Sequence, residues 1–244
     1  HSFPTRRSSD LYEGQFWSEM PDLNLSNEML KAEIEDVADF WMDQGIDGFR
    51  MDAPLHYEEG DTSFNGAALS WLYEYCKSRN PDFYMVSEVW DSRTVIASYY
   101  RESQTPSFFD FPVSQMEGVI ISTVMGNMPA EKFVGNVSAL NREYGEAYPD
   151  YIDAPFITNH DQGRPCNMLQ SDADGLKFAG GLLLTMPGNP FIYYGEEVGM
   201  KSKGSKDENK RLPMNWSFTE TEGMTDGPKD ADKGIEQSFP GVDE

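Results

Sequence analysis

Arg50 and Asp52 interrupt an apolar run, "GIDGFRMDAP" at 45–54, two positions apart. Side chains alternate faces along a strand, so Arg50 and Asp52 share one surface while Phe49 and Met51 share the other. A second run, "DFYMVSEVW" at 82–90, closes on the lone carboxylate Glu88, and a third, "APFITNHDQGR" at 154–164, closes on His160 and Asp161. If these strands are neighbours, three carboxylates, an imidazole and a guanidinium converge on one mouth.

Such a group repels itself, and burial raises the pKa of the least compensated member, so it separates into ionised and protonated carboxyls. Glycoside hydrolysis has this requirement: one carboxylate attacks the anomeric carbon while a protonated partner delivers a proton to the departing oxygen. Arg50, on the face of Asp52, would hold that carboxylate ionised, which suits a nucleophile. Glu88 stands among Val86, Val89 and Trp90 with no cation adjacent in sequence. That apolar setting favours the protonated form and suits the acid.

The elements that must position these residues alternate. "NLSNEMLKAEIEDVADFWMDQG" repeats Leu30, Ile34, Val37 and Trp41 at helical spacing, with Ser26 or Asn27 as N-cap and Gly45 as the stop. This predicts a helix of about five turns running into the first strand. "NGAALSWLYEYCKSR" from Asn65, "PAEKFVGNVSALNREY" from Pro129 and "DGLKFAGGLLLTMPG" from Asp174 read as further helices. "SFFDFPV" at 107–113, weakened by Pro112, and "NPFIYYGEEVG" at 189–199 read as further strands. Alternating strands and helices imply parallel βα units. Polar groups closing several different strands, with no glycine-rich phosphate turn, favour a barrel over an open doubly wound sheet. About five of the eight strands a barrel needs are visible by this reading.

Composition narrows the partners. With 244 residues, 39% hydrophobic and 13% aromatic, the chain has material for a sizeable core. A net charge of -23, from 42 acidic against 19 basic residues, repels phosphate backbones and anionic lipid, which argues against nucleic acid and suits a neutral ligand. Cys76 and Cys166 lack CxxC spacing and read as buried thiols. Three histidines without HxH or HExxH spacing argue against a metal centre. No apolar run approaches the roughly 18 residues that span a bilayer, and the compartment stays open. Residues 1–11, "HSFPTRRSSDL", have no apolar period and resemble a peptide translated from sequencing-adapter DNA. They are set aside as a non-native segment, leaving 12–244 as one catalytic-type domain.

The motifs together resemble the α-amylase family, glycoside hydrolase family 13, a retaining group built on a (β/α)8 TIM barrel. "GFRMDA" is similar to its fourth-strand motif, "SEVW" to its fifth and "FITNHD" to its seventh. "MPDLN" at 20–24 resembles a fifth motif, in the form of members between the oligo-1,6-glucosidases and the neopullulanases, and "RLPMNW" at 211–216 resembles the segment after the last strand. The resemblance implies a partial barrel, strands four to eight, in an α/β protein acting on α-1,4-linked and some α-1,6-linked gluco-oligosaccharides. It implies Asp52 as nucleophile, Glu88 as general acid/base and Asp161 as the third carboxylate, binding sugar hydroxyls. Arg50 and His160 match partners of the nucleophile and of the bound sugar. His56 is a sugar-binding candidate, and Trp90 is a stacking platform or a core residue. No cofactor is required, and calcium is possible through regions outside this sequence.

Departures leave alternatives open. Leu55 stands where many α-amylases carry a sugar-binding lysine, which weakens endo-acting starch hydrolysis. Transglycosylation or isomerisation uses the same intermediate, and a non-catalytic barrel chain is the third reading. Glu196 and Glu197 read as strand-end structural or loop carboxylates, with sugar contact as the lesser alternative. The third-strand motif of the family does not appear. A sheet of strands four to eight exposes two edges, so this polypeptide alone is expected to be unstable or to aggregate. A thermal melt of the isolated chain tests this, and a cooperative transition in a monomer contradicts it.

Overall fold

A computed structural model describes residues 2–4, 11–217, 225–233 and 235–242. The chain divides into two units, His1–Phe108 with Glu143–Tyr151, and Phe109–Arg142 with Ile152–Glu244.

In the first unit, strands β1 (Ser2–Pro4) and β2 (Leu11–Glu13) pair antiparallel, Phe3 opposite Tyr12. The segment set aside on composition thus carries a strand. Helix α1 (Glu28–Asp43) starts at Asn27, whose side chain accepts from the Met29 amide, and stops at Gly45, whose φ of +93° favours glycine. Ala38 is buried on α1, whereas Val37 and Trp41 of the expected apolar stripe are exposed. Strands β3 (Gly48–Met51) and β4 (Tyr84–Ser87) follow the predicted positions, with α2 (Thr62–Arg79) between them, capped by Asp61 accepting from Phe64 N. Helix α3 (Arg93–Ser103), absent from the sequence reading, buries Ile96, Ala97, Tyr99 and Tyr100. Strand β5 (Ser107–Phe108) completes a parallel sheet of order β3-β4-β5. Leu69 and Cys76 of α2 and Tyr144 are fully buried, as are Ile96, Tyr100 and Phe108.

In the second unit the expected strands shrink. The run at 107–113 forms a strand only at its first two residues, and Pro112 lies in a 3-10 turn, Phe111–Val113. The run at 154–164 makes only two isolated parallel bridges, Ala154 with Phe109 and Phe156 with Phe191, and the run at 189–199 takes part only in the second. Pro155 and Pro190 explain the shortfall, since each removes an amide donor from its run. Aromatic packing remains, with Phe109 edge-on to Phe156 at 5.5 Å and to Phe191 at 4.8 Å. The helices are α4 (Val119–Val124), α5 (Ala130–Ala147), whose residues from Glu143 on belong to the first unit, α6 (Pro165–Met168) and α7 (Ala173–Thr185). Of these α4 and α6 are too short to show a period in the sequence.

Helices α2 and α3 meet closely at Gly66, where an added Cβ would lie 2.5 Å from Glu102 Cβ and 3.0 Å from its carbonyl carbon. Neither atom can swing away. Gly66→Ala is therefore expected to destabilise by up to about 2 kcal/mol, the overpacking of about 1–3 kcal/mol being offset by the roughly 1 kcal/mol alanine gains in a helix. Urea unfolding of the protein carrying this chain measures it, and a raised midpoint contradicts the close approach.

Candidate active site

The parallel register sets Arg50 opposite Val86 and Met51 opposite Ser87, and the Glu88 amide continues the ladder by donating to Met51 O at 2.9 Å. Asp52 and Glu88 therefore leave adjacent strands at the same level. Arg50 joins them: one terminal nitrogen donates to Asp52 Oδ1 and the other to Glu88 Oε1 at 2.8 Å. The strand alternation that pairs Arg50 with Asp52 is as expected. The wholly apolar setting expected for Glu88 is not. Its side chain is buried, 10% exposed against 76% for Asp52, but its cation arrives from the neighbouring strand, which adjacency in sequence cannot reveal. Both carboxylates thus meet one planar guanidinium fork, each at its own terminal nitrogen.

Backbone strain marks the same place. Ala53, next after Asp52, has φ +43° and ψ +51°, a left-handed conformation costly for a residue with a Cβ. The bend carries the chain into a 3-10 turn, Pro54–His56, and turns the Ala53 amide toward Glu88 Oε2 at 3.4 Å.

His56 packs edge-on to Phe16 at 4.8 Å, with Nδ1 3.4 Å from Glu59. His56 and Asp52 line a cavity of about 350 Å³ with Tyr57, Phe16, Leu23 and Leu25. The "MPDLN" segment is thus brought to the cavity of the candidate nucleophile. Tyr57, which the sequence reading did not single out, has its hydroxyl pushed up first by burial and then by the charge of Asp52. Val89 is buried, and Trp90, two residues beyond Glu88, is 42% exposed.

His160 and Asp161 lie in the second unit. His160 Nε2 stands 3.1 Å from Asp161 Oδ2, and Arg211 donates to Asp161 Oδ1 and, through Nε, to His160 O at 3.1 Å. Lys210 Nζ donates to Asp161 O at 2.8 Å. The sequence reading named neither Lys210 nor Arg211 as site residues. Arg211 opens the "RLPMNW" segment, the one signal that pointed to it. Among the described residues no group of three or more His, Cys, Asp or Glu side chains is placed to hold a metal ion, and no helix is long and apolar enough to cross a membrane. Cys76 and Cys166 are free and buried.

Carboxylates at the C-terminal ends of parallel strands, shared by one guanidinium, are the layout of a barrel-type enzyme site. Comparison with known proteins gives the family. The description "Alpha amylase, catalytic domain" matches residues 5–233. Alpha-amylase 3 of Dictyoglomus thermophilum is 40% identical over 219 residues, 87% of this chain and 41% of that protein. Alpha-amylase SusG of Bacteroides thetaiotaomicron is 34% identical over 201 residues, 79% of this chain and 28% of that protein. The structure of Eubacterium rectale Amy13B superposes with a TM-score of 0.90 at 40% identity, over 96% of this chain and 46% of that one. The chain belongs to the α-amylase family, carries part of its (β/α)8 barrel, and spans less than half the length of these relatives.

The strain at Ala53 is testable. Ala53→Gly is expected to be neutral or to stabilise by up to about 1 kcal/mol, as relief of the left-handed penalty offsets glycine's greater chain entropy. Ala53→Val is expected to cost more than 1 kcal/mol, because a branched side chain fits that conformation worst. Thermal midpoints of the two variants decide, and a valine variant as stable as wild type contradicts the conformation.

Proposed function

We propose that the protein carrying this chain is a retaining α-glucosidic hydrolase that acts on α-1,4-linked gluco-oligosaccharides and, given the motif at 20–24, some α-1,6 links. The observation that carries this reading is the sharing of Arg50 between Asp52 and Glu88. Asp52 attacks the anomeric carbon, the glycosidic bond breaks, and the departing oxygen takes the proton of Glu88. The product is a β-glucosyl ester on Asp52 and a carboxylate on Glu88. In the second step Glu88 takes a proton from water, the hydroxyl oxygen attacks the same carbon, and Asp52 leaves ionised. The pair thus carries one negative charge throughout, first on Asp52 and then on Glu88. A guanidinium in contact with both stabilises each stage without moving.

Asp161 is assigned to sugar hydroxyls, with Arg211 and His160 orienting it. His56 and Trp90 are assigned to sugar contacts, Trp90 by stacking. The relatives' names, alpha-amylase 3 and alpha-amylase SusG, support hydrolysis. A trehalose synthase/amylase of Mycolicibacterium smegmatis, 27% identical over 251 residues, keeps transfer to a sugar as the second reading.

Asp52→Asn is expected to lower release of reducing sugar from maltotriose on the order of a thousandfold or more, leaving the melting temperature near wild type. Near-normal turnover contradicts the nucleophile. Arg50→Lys keeps the charge but not the fork, and is expected to lower kcat/KM by about tenfold to about a hundredfold, the worth of one lost charged hydrogen bond. Proton NMR of the first product should show the α anomer. The β anomer first would overturn retention, and a new disaccharide bond as main product would favour transfer.

A further inference from the structure

Behind the His160–Asp161 turn, in the same unit, sits a carboxyl that the proposed reaction does not use. One oxygen of Glu196 accepts from the Thr158 hydroxyl and the other from the Tyr193 amide at 3.2 Å. The Glu196 amide returns a bond to Tyr193 O at 3.0 Å, closing a tight turn. Thr158 is buried and lies two residues before His160. Immediately beyond it the chain folds on itself, the Asp161 amide donating to Asn159 Oδ1 at 3.0 Å and the Gln162 amide to Asn159 O at 3.2 Å. The Thr158–Glu196 bond is therefore the last side-chain tie before the turn that presents His160 and Asp161.

The surroundings of Glu196 are mixed. Arg164, fully buried, stacks on the rings of Tyr193 and Tyr194 at 4.5 and 4.9 Å and donates to the carbonyls of Tyr194 and Lys210. Glu197 is adjacent, and Lys177 of α7 lines the same cavity, of about 670 Å³. Burial pushes the Glu196 carboxyl up to about 7, opposed by its bonds to Thr158 and Tyr193 and by the charge of Arg164, and assisted by Glu197.

We propose that Glu196 is a positioning residue for His160 and Asp161, acting through the Thr158 hydroxyl to fix the strand end from which their turn departs. The catalytic consequence rests on the reading of Asp161 as the sugar-binding carboxylate. Because the folded-state value is raised above the ordinary 4.5, the stability Glu196 contributes is complete below that value and is lost as pH rises through about 7. Glu196→Gln keeps both bonds, its amide oxygen accepting from Tyr193 and its amide nitrogen donating to Thr158, and it never ionises.

The test compares wild type, Glu196→Gln, Thr158→Val and Thr158→Ser in the protein carrying this chain. Thr158→Val is expected to lower kcat on maltotriose by about tenfold, the worth of one hydrogen bond, and Thr158→Ser to restore it. Wild type should lose kcat/KM as pH rises through about 7, with part of that loss absent in Glu196→Gln. NMR of the His160 ring and of the Asn159 and Asp161 amides gives a readout free of turnover. Those signals should shift in Thr158→Val, and an Asn159 inflection near pH 7 should vanish in Glu196→Gln. Unchanged signals in both variants overturn the proposal, as does a pH profile that Glu196→Gln leaves untouched. Absence of turnover in wild type would sink the hydrolase reading, while the NMR comparison would still decide the role of Glu196.

Discussion

One guanidinium shared by two carboxylates is the constraint on which the first unit's site depends. Arg50 reaches Asp52 along its own strand and Glu88 across the ladder. Two anions of this kind, one of them buried, repel unless a cation or a proton compensates them. A single fork that touches both suits a reaction in which one negative charge passes from the first carboxyl to the second. In the proposed reaction each half-step would begin and end with the same net charge beside Arg50, so little solvent need rearrange.

The scaffold makes this arrangement by simple means. Parallel pairing of β3 with β4 brings two strand ends level, and period-two alternation puts Arg50 and Asp52 on one face. The left-handed Ala53 then turns the chain away after Asp52, so that the following residues wall the cavity without covering the carboxylate. In the second unit a different device serves Asp161. There Arg211 donates to the Asp161 side chain and Lys210 to its carbonyl, while buried Arg164 donates to the carbonyls of Tyr194 and Lys210.

Much of this was legible in residue spacing. The helices that begin at Glu28, Thr62, Ala130 and Ala173 carried apolar periods long enough to read, and β3 and β4 carried chemistry at their ends. Helix α3 was hidden because Thr94, Val95, Tyr99 and Tyr100 resemble strand residues in composition, and only packing decides their conformation. Pro155 and Pro190 reduced two expected strands to isolated bridges, a cost of missing donors that apolar patterning does not display. The environment of Glu88 was read from neighbours in sequence, and the sheet supplied a neighbour from 38 residues away (88 − 50). Arg211, Lys210 and Tyr57 act across long sequence separations or beside a side chain whose place only the fold sets.

In the proposed reaction Asp52 is the carboxylate that becomes bonded to sugar while Glu88 takes over its charge. Trapping the protein carrying this chain with a 5-fluoro-α-glucosyl fluoride, followed by mass spectrometry of its peptides, tests this most directly. The account predicts a single hexosyl-type adduct on the peptide containing Asp52, whereas an adduct on Glu88 or on Asp161 would contradict it.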